Sequence, residues 1–291
     1  MSIMSTWLAL LGMCSMWWSI QSWPQYTEDC KCGVSADNQP RARIVGGEDA
    51  TPGEFPWAAA LEYLESTYCG AAIVSDRIVL TAAHCLKKRV PIQVRVGGHN
   101  TSKLEGTMLI PARAIAHPDY GRKSKNLGSD IAALRLNKRI KFEQFEGRVA
   151  PACLPEPGHV IDHLTVVAAG WGLTEEGGGE EKKSKVLQKV QLEVIPNVKC
   201  FKETGYRVIE NYMDETMLCA WGDKRDACGG DSGGPLAFWE DETQKWLLVG
   251  IVSFGVGCGR RDYPGIYSSV AFHLDWIRSH LVSSRSKLCK A

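Results

Sequence analysis

The chain has 291 residues, 34 Lys and Arg against 33 Asp and Glu, and a formal charge of +1 at pH 7. Such a balance gives no reason to expect nucleic acid or an anionic membrane as the main partner. The 44% apolar share fits a globular rather than a disordered chain, and the length allows roughly two domains that each bury a core.

In chain order, the first charged side chain is Glu28. Before it, the apolar run from Trp7 to Trp18 is too short to span a bilayer comfortably and reads as the core of a secretory signal. Cleavage near Ser22 would give a signal peptide over 1–22 and a secreted, extracellular protein. An uncleaved anchoring segment is the alternative, because the head of the run lacks Lys or Arg. Cysteine usage favours secretion: with Cys14 in the signal, ten of the eleven cysteines remain, an even number suited to an oxidising compartment. No Cys-x-x-Cys or His pair stands at ligand spacing, which argues against a zinc site, and no cofactor is expected.

From Glu28 to Arg43 the sequence is polar and lacks periodicity, and 23–43 reads as a propeptide that ends at Pro40-Arg41-Ala42-Arg43, before Ile44-Val45-Gly46-Gly47. Beyond it come short β-rich runs bounded by turn residues: Gly70 to Val74, Ile78 to Thr81, Ile92 to Val96, Ile131 to Leu136, Thr165 to Ala169, Val186 to Val194 and Trp246 to Phe254. This spacing predicts antiparallel sheets closed into barrels. Pro155-Glu156-Pro157-Gly158 marks the crossover, dividing an N-terminal barrel at about 44–155 from a C-terminal one at about 156–291. The Gly- and charge-rich stretch Glu175 to Lys185 reads as an exposed flexible loop. At the end, Val270, Leu274, Ile277 and Leu281 share one face of an amphipathic helix.

Three strings carry the chemistry. In Cys228-Gly229-Gly230-Asp231-Ser232-Gly233-Gly234-Pro235 a serine stands between glycine pairs, open to close approach by a substrate. Taken alone it reads sooner as a glycine-rich surface turn. A serine hydroxyl needs a base to take its proton, and Thr81-Ala82-Ala83-His84-Cys85 offers one directly after an apolar strand. The base needs an acid to hold its tautomer, and Asp130 opens Asp130-Ile131-Ala132-Ala133-Leu134. Together, and in the order His84, Asp130, Ser232, these strings resemble the chymotrypsin-like (trypsin-like) serine peptidases from Arg43 to the final helix.

That resemblance implies an all-β fold of two packed six-stranded antiparallel β-barrels with a C-terminal α-helix and the active site in the cleft between them. It makes Ser232 the nucleophile, His84 the base and Asp130 its orienting acid, with the N–H groups of Gly230 and Ser232 as the oxyanion hole. Asp226 would floor a pocket for Arg or Lys, Gly255 and Gly265 would keep its walls open, and Ser253 lies on the strand that pairs with substrate. Ala227 offers no hydroxyl beside Asp226, which favours Arg over Lys. Phe254 (commonly Trp in the family) and Gly229 (often a long polar residue) depart from the pattern. Cleavage between Arg43 and Ile44 would release an ammonium to pair with Asp231. Implied disulfides are Cys69–Cys85, Cys200–Cys219, Cys228–Cys258 and Cys32–Cys153, which leaves Cys30 and Cys289 as a fifth pair by elimination. The family's other common bridge has Val166 and Phe238 in its register. Gly98, Met108 and Pro264 stand where relatives that bind calcium or sodium carry other residues. Asn100-Thr101-Ser102 is a glycosylation sequon.

The implied protein is a monomeric zymogen. Its partners would be protein or peptide substrates with Arg or Lys, an activating trypsin-like protease and protein protease inhibitors, without nucleic acid or a membrane span. The reading from another class is a catalytically silent homologue that uses the fold to bind a partner.

Overall fold

The computed structural model describes residues 27–36, 47–87, 90–122, 127–222, 226–286 and 289–290. The expected signal segment and the Arg43–Ile44 junction lie outside these. Strands β1 (Thr27–Lys31) and β2 (Glu48–Asp49) precede β3 (Ala58–Tyr63), β4 (Ser66–Ile73), β5 (Ile78–Thr81), β6 (Gln93–Val96), β7 (Met108–Ala116) and β8 (Ala132–Leu136). These last six close a barrel in the order β3-β4-β5-β8-β7-β6.

A second set follows: β9 (Thr165–Gly170), β10 (Gln188–Ile195), β11 (Met217–Trp221), β12 (Pro235–Glu240), β13 (Lys245–Phe254) and β14 (Gly265–Ser269). They run in the order β11-β14-β13-β12-β9-β10, the β10–β11 pairing closes the ring, and β2 adds to the outer side of β10. All these pairings are antiparallel. The fold is therefore two six-stranded antiparallel barrels. Pro155–Gly158 falls in the link between β8 and β9.

Burial explains which strands were legible. In β6, Val94 and Val96 point into the barrel while Gln93 and Arg95 are half-buried outside, the alternation of a two-faced strand. In β5 every residue is buried, giving a continuous apolar run. By contrast, β3 opens on Ala58-Ala59-Ala60, residues with little intrinsic strand preference, and forms because its neighbours supply the packing.

Two α-helices occur among the described residues, α1 (Asn197–Glu203) and α2 (Leu274–Ser283). The terminal helix starts later than its apolar spacing indicates. Leu274, Ile277 and Leu281 form its buried face, whereas Val270 lies in the preceding turn, where its N–H donates to Val249 O at 3.0 Å. The stretch Glu175 to Lys185 is not featureless either. It carries a 3-10 turn at Glu180–Lys182 and a bridge from Leu173 to Lys183, and Glu176 pairs with Arg260.

Disulfides join Cys32–Cys153, Cys69–Cys85, Cys200–Cys219 and Cys228–Cys258. The first anchors the N-terminal segment, aided by Gly33 N–H to Pro151 O at 2.8 Å and Trp246 N–H to Gly33 O at 3.0 Å. Strand β1 pairs in parallel with β15 (Cys289–Lys290), so the backbone strands carrying Cys30 and Cys289 run side by side. Val166 and Phe238 face each other across β9 and β12, an apolar pair in the register of the missing bridge. No helix among the described residues is long and apolar enough to cross a membrane.

Candidate active site

The two barrels meet where glycine lets backbones touch. A Cβ on Gly70 in β4 would lie 2.8 Å from Gly234 Cα, and its N–H donates to Ser232 O at 2.7 Å. Thr81 Oγ1, at the end of β5, donates to Gly70 O at 2.8 Å. The end of the His84 strand is thus tied to the loop that carries Ser232. Gly233 requires its lack of a side chain twice over, with φ +83° and a Cβ position 2.2 Å from Thr81 Oγ1.

His84 sits in the 3-10 turn Ala83–Lys87 after β5, and Asp130 lies just before β8, whose pairing with β5 brings the two together. Asp130 Oδ2 is 2.7 Å from His84 Nδ1, and Oδ1 accepts the His84 backbone N–H at 2.8 Å. The carboxylate thus fixes ring and backbone at once. Ser253 Oγ donates to Asp130 Oδ2 at 2.6 Å, and Ser268 Oγ donates to the Asp130 carbonyl at 2.7 Å. Both serines come from the second barrel. The Asp130 side chain is 6% exposed against 29% for His84. Burial pushes the Asp130 carboxyl up, but the His84 side-chain bond and charge, the Ser253 hydroxyl and the His84 N–H outweigh it and hold the group below its ordinary value.

The Cys85 sulfur lies 3.8 Å from His84 Nε2 and 3.7 Å from Ser232 O, so ring and serine approach the same disulfide. His84, Cys69 and Cys85 form the one metal-like donor cluster among the described residues, and both of its sulfurs are used in the Cys69–Cys85 bond. The donor set therefore does not fit a metal ion.

A cleft of about 690 Å³ is lined by His84, Asp130 and Ser232, together with Asp226, Ser253, Gly255 and Gly265. Asp226 Oδ1 is buried with no hydrogen-bond partner among the described residues. Burial pushes its carboxyl up to about 7, with the N–H groups of Ala227 and Gly259 working against the rise and the Asp231 charge adding to it. A Cβ on Gly265 would lie 2.5 Å from Asp226 Oδ1, so any side chain there would block the carboxylate. Gly255 is looser, its Cβ position 3.8 Å from Asp226 Oδ2. A buried carboxylate oxygen left without a partner in a cleft lining is suited to receive a cation.

Asp231 points the other way. Its Oδ1 accepts Gly172 N–H at 2.7 Å and its Oδ2 accepts Cys228 N–H at 2.9 Å. It lines an adjoining cavity of about 380 Å³ with Gly47, Gly170, Gly172 and Lys189, and Asp226 lies in the lining of both this cavity and the cleft. Burial raises the Asp231 carboxyl to about 6, opposed by the two N–H groups and by the Lys183 charge. Gly230, directly before Asp231, has φ +101°.

Several residues here had no signal in the sequence. Cβ atoms on Gly170 and Gly172 would lie 2.1 and 2.4 Å from the Asp231 carboxylate oxygens, and only the Gly-Trp-Gly spacing could have marked them. Lys189, buried in β10, places Nζ 2.6 Å from Glu54 Oε1 and 3.0 Å from Glu48 Oε1. Burial lowers the Lys189 ammonium, and the two carboxylates more than reverse this to leave it raised. Asn100 lies outside the cleft, with its Oδ1 accepting Ser102 N–H at 2.9 Å.

Comparison with known proteins adds an independent line. The family model described as Trypsin matches residues 44–277. The chain is 36% identical to phenoloxidase-activating factor 1 of Holotrichia diomphalia over 281 residues, which cover 87% of this chain and 72% of that protein. It is 32% identical to CLIP domain-containing serine protease B4 of Anopheles gambiae over 280 residues, 87% of this chain and 73% of the relative. With transmembrane protease serine 7 of Mus musculus it shares 34% identity over 259 residues, covering 86% of this chain but only 30% of that protein.

Proposed function

We propose that this chain, which belongs to the trypsin family of serine proteases, is a secreted endopeptidase made as a zymogen that cleaves after Arg and less well after Lys. The observation that carries this reading is the cleft lined by His84, Asp130 and Ser232 together with Asp226, whose buried Oδ1 has no hydrogen-bond partner among the described residues.

Ser232 Oγ attacks the peptide carbonyl carbon as His84 Nε2 takes its proton. Asp130 holds the ring by Nδ1 and stabilises the imidazolium. The N–H groups of Gly230 and Ser232 receive the carbonyl oxygen as it becomes negative, and each such donor is worth about 2.7–4 kcal/mol in the barrier. The C–N bond breaks as His84 returns the proton to the leaving amine. Water, deprotonated by His84, then releases the acyl group and restores the Ser232 hydroxyl.

Activation uses the other face of the same loop. A cut between Arg43 and Ile44 frees an ammonium, and Asp231, with a cavity beside it and no side-chain cation hydrogen-bonded to it in the described contacts, is its partner. Arg43 fits a pocket floored by Asp226, so some self-activation follows. Cys32–Cys153 keeps the released segment attached, and a Cys30–Cys289 bond, supported by the pairing of β1 with β15, would add a second tether.

The test is to process the purified chain with trypsin, titrate it with an organophosphonate and profile its cleavages in a proteome digest. Labelling at Ser232 with cuts after Arg in excess of Lys supports the reading. A folded, processed sample that resists labelling would make the chain a silent binding homologue, and cuts after Phe or Leu would remove the role given to Asp226.

A further inference from the structure

We propose that His273 is a positioning residue for Asp130, acting through Ser129 in a hydrogen-bond ring that joins the two barrels; this inference rests on the triad reading above. His273 precedes α2 in the second barrel, is 2% exposed and does not line the cleft. It therefore has no direct part in the chemistry.

The ring starts from a strained position. Ser129 has φ +53°, a left-handed conformation that non-glycine residues seldom adopt, and it directly precedes Asp130. Holding such a backbone costs about 1–3 kcal/mol and requires surrounding bonds to maintain it. Two bonds come from the second barrel. Ser129 N–H donates to Thr216 Oγ1 at 2.9 Å, and Ser129 Oγ lies 3.2 Å from His273 Nε2. The ring closes on itself, because Ser269 N–H donates to Thr216 O at 2.8 Å while Ser269 O lies 2.6 Å from His273 Nδ1.

The chemistry of these partners fixes every proton. A carbonyl can only accept, so His273 carries its proton on Nδ1 and gives it to Ser269 O. His273 Nε2 is then a bare acceptor, and the Ser129 hydroxyl must donate to it. The assignment requires a neutral ring. Burial pushes the His273 pKa down to about 4, reinforced by the facing His117 and opposed by the Ser269 carbonyl bond and the charges of Asp214 and Asp119. His117 stacks edge-on at a ring-centroid distance of 4.9 Å.

The consequence for the site is geometric. His84 and Asp130 belong to the first barrel and Ser232 to the second, so the triad needs a device that registers one barrel on the other. Ser253 and Ser268 bond Asp130 directly. The His273 ring sets the backbone dihedrals one residue upstream, and with them the direction in which Asp130 leaves the chain.

The experiment compares processed wild-type chain with His273→Phe, His273→Gln and Ser129→Gly. Three properties are read: kcat and KM on an arginyl amide, the melting temperature, and the low-field proton resonance of the His84–Asp130 hydrogen bond. His273→Phe is expected to lower kcat about tenfold or more, as a small misplacement of a catalytic group does, with KM within about twofold. It should also shift or broaden the low-field resonance. His273→Gln, whose amide can donate to Ser269 O and accept from Ser129, should recover most of kcat. A folded His273→Phe with wild-type kcat and an unmoved resonance overturns the inference. Should that variant fail to fold, Ser129→Gly decides, since glycine tolerates the left-handed backbone and lacks only the hydroxyl. A lowered kcat there sustains the role, and an unchanged one refutes it. If wild-type processed chain shows no turnover, the protease reading is what fails, and the resonance comparison still decides the part played by His273.

Discussion

Asp226→Asn should move activity and stability in opposite directions. The substitution keeps the shape of the cleft floor and removes the charge. On the substrate side, a buried guanidinium would lose its ionic partner, a loss of about 3–5 kcal/mol. At about 1.4 kcal/mol per factor of ten, kcat/KM for an arginyl substrate should fall by about two to three and a half powers of ten. On the free protein the effect reverses. Folding moves the Asp226 carboxyl from 3.8 to about 7, so holding it ionised at pH 8 costs at most about 4 kcal/mol.

For a group whose pKa rises on folding, its contribution to stability is full below the unfolded value and is lost as pH climbs through the folded one. The variant, with nothing to ionise, should therefore melt above wild type at pH 8, and the gap should narrow through pH 7 and close near pH 4. Scanning calorimetry across that range, paired with initial rates on arginyl and lysyl amides, measures both arms. The reasoning is refuted if the variant melts below wild type at pH 8, or if it cleaves the arginyl substrate at the wild-type rate.

Other expectations concern processing and the loop around Asp231. Gly172→Ala places a methyl 2.4 Å from Asp231 Oδ2, and the forced shift should cost about 1–3 kcal/mol and depress kcat after processing. Thermal melts and burst titration would register both, and normal turnover would count against the role of the Asp231 turn. Cys32→Ser should let the N-terminal segment separate from the processed chain on a non-reducing gel once Cys30→Ser is added. A segment released by Cys32→Ser alone would argue against the second tether. Arg43→Gln should leave the chain uncut and inactive under conditions in which wild type, incubated at high concentration, processes itself. Failure of wild type to self-process would eliminate self-activation while leaving processing by another protease in place.

Much of the site was legible because its signals are local. His84 and Ser232 sit in short strings of fixed identity, and the pairing of β5 with β8 that brings His84 to Asp130 follows from two apolar runs visible in the sequence. What escaped reading is what distance in the chain conceals. His273 and Ser129 are 144 positions apart and Lys189 and Glu54 are 135 apart, and none of the four stands in an unusual local context. Gly170 and Gly172 carry no signal of their role until the Asp231 carboxylate is seen against them. Strands such as β3 and β12 escape for another reason: alanine and proline at their starts carry no strand preference, and the barrel imposes the conformation. The terminal helix was placed too early because Val270 is as buried as a helical residue yet belongs to the turn before it.

The division of the reactive groups between two separately closed barrels has a consequence for biogenesis. Each half closes its own hydrogen-bonded ring, and the constellation exists only where the two halves dock, so a chain whose halves have not docked should lack activity. Near-glycine contact at Gly70 and Gly234 makes that docking intolerant of slippage. Docking should thus be a condition for proteolytic power that comes before the activating cut, and in the processed chain mild denaturants should extinguish activity well before either half loses its spectroscopic signature.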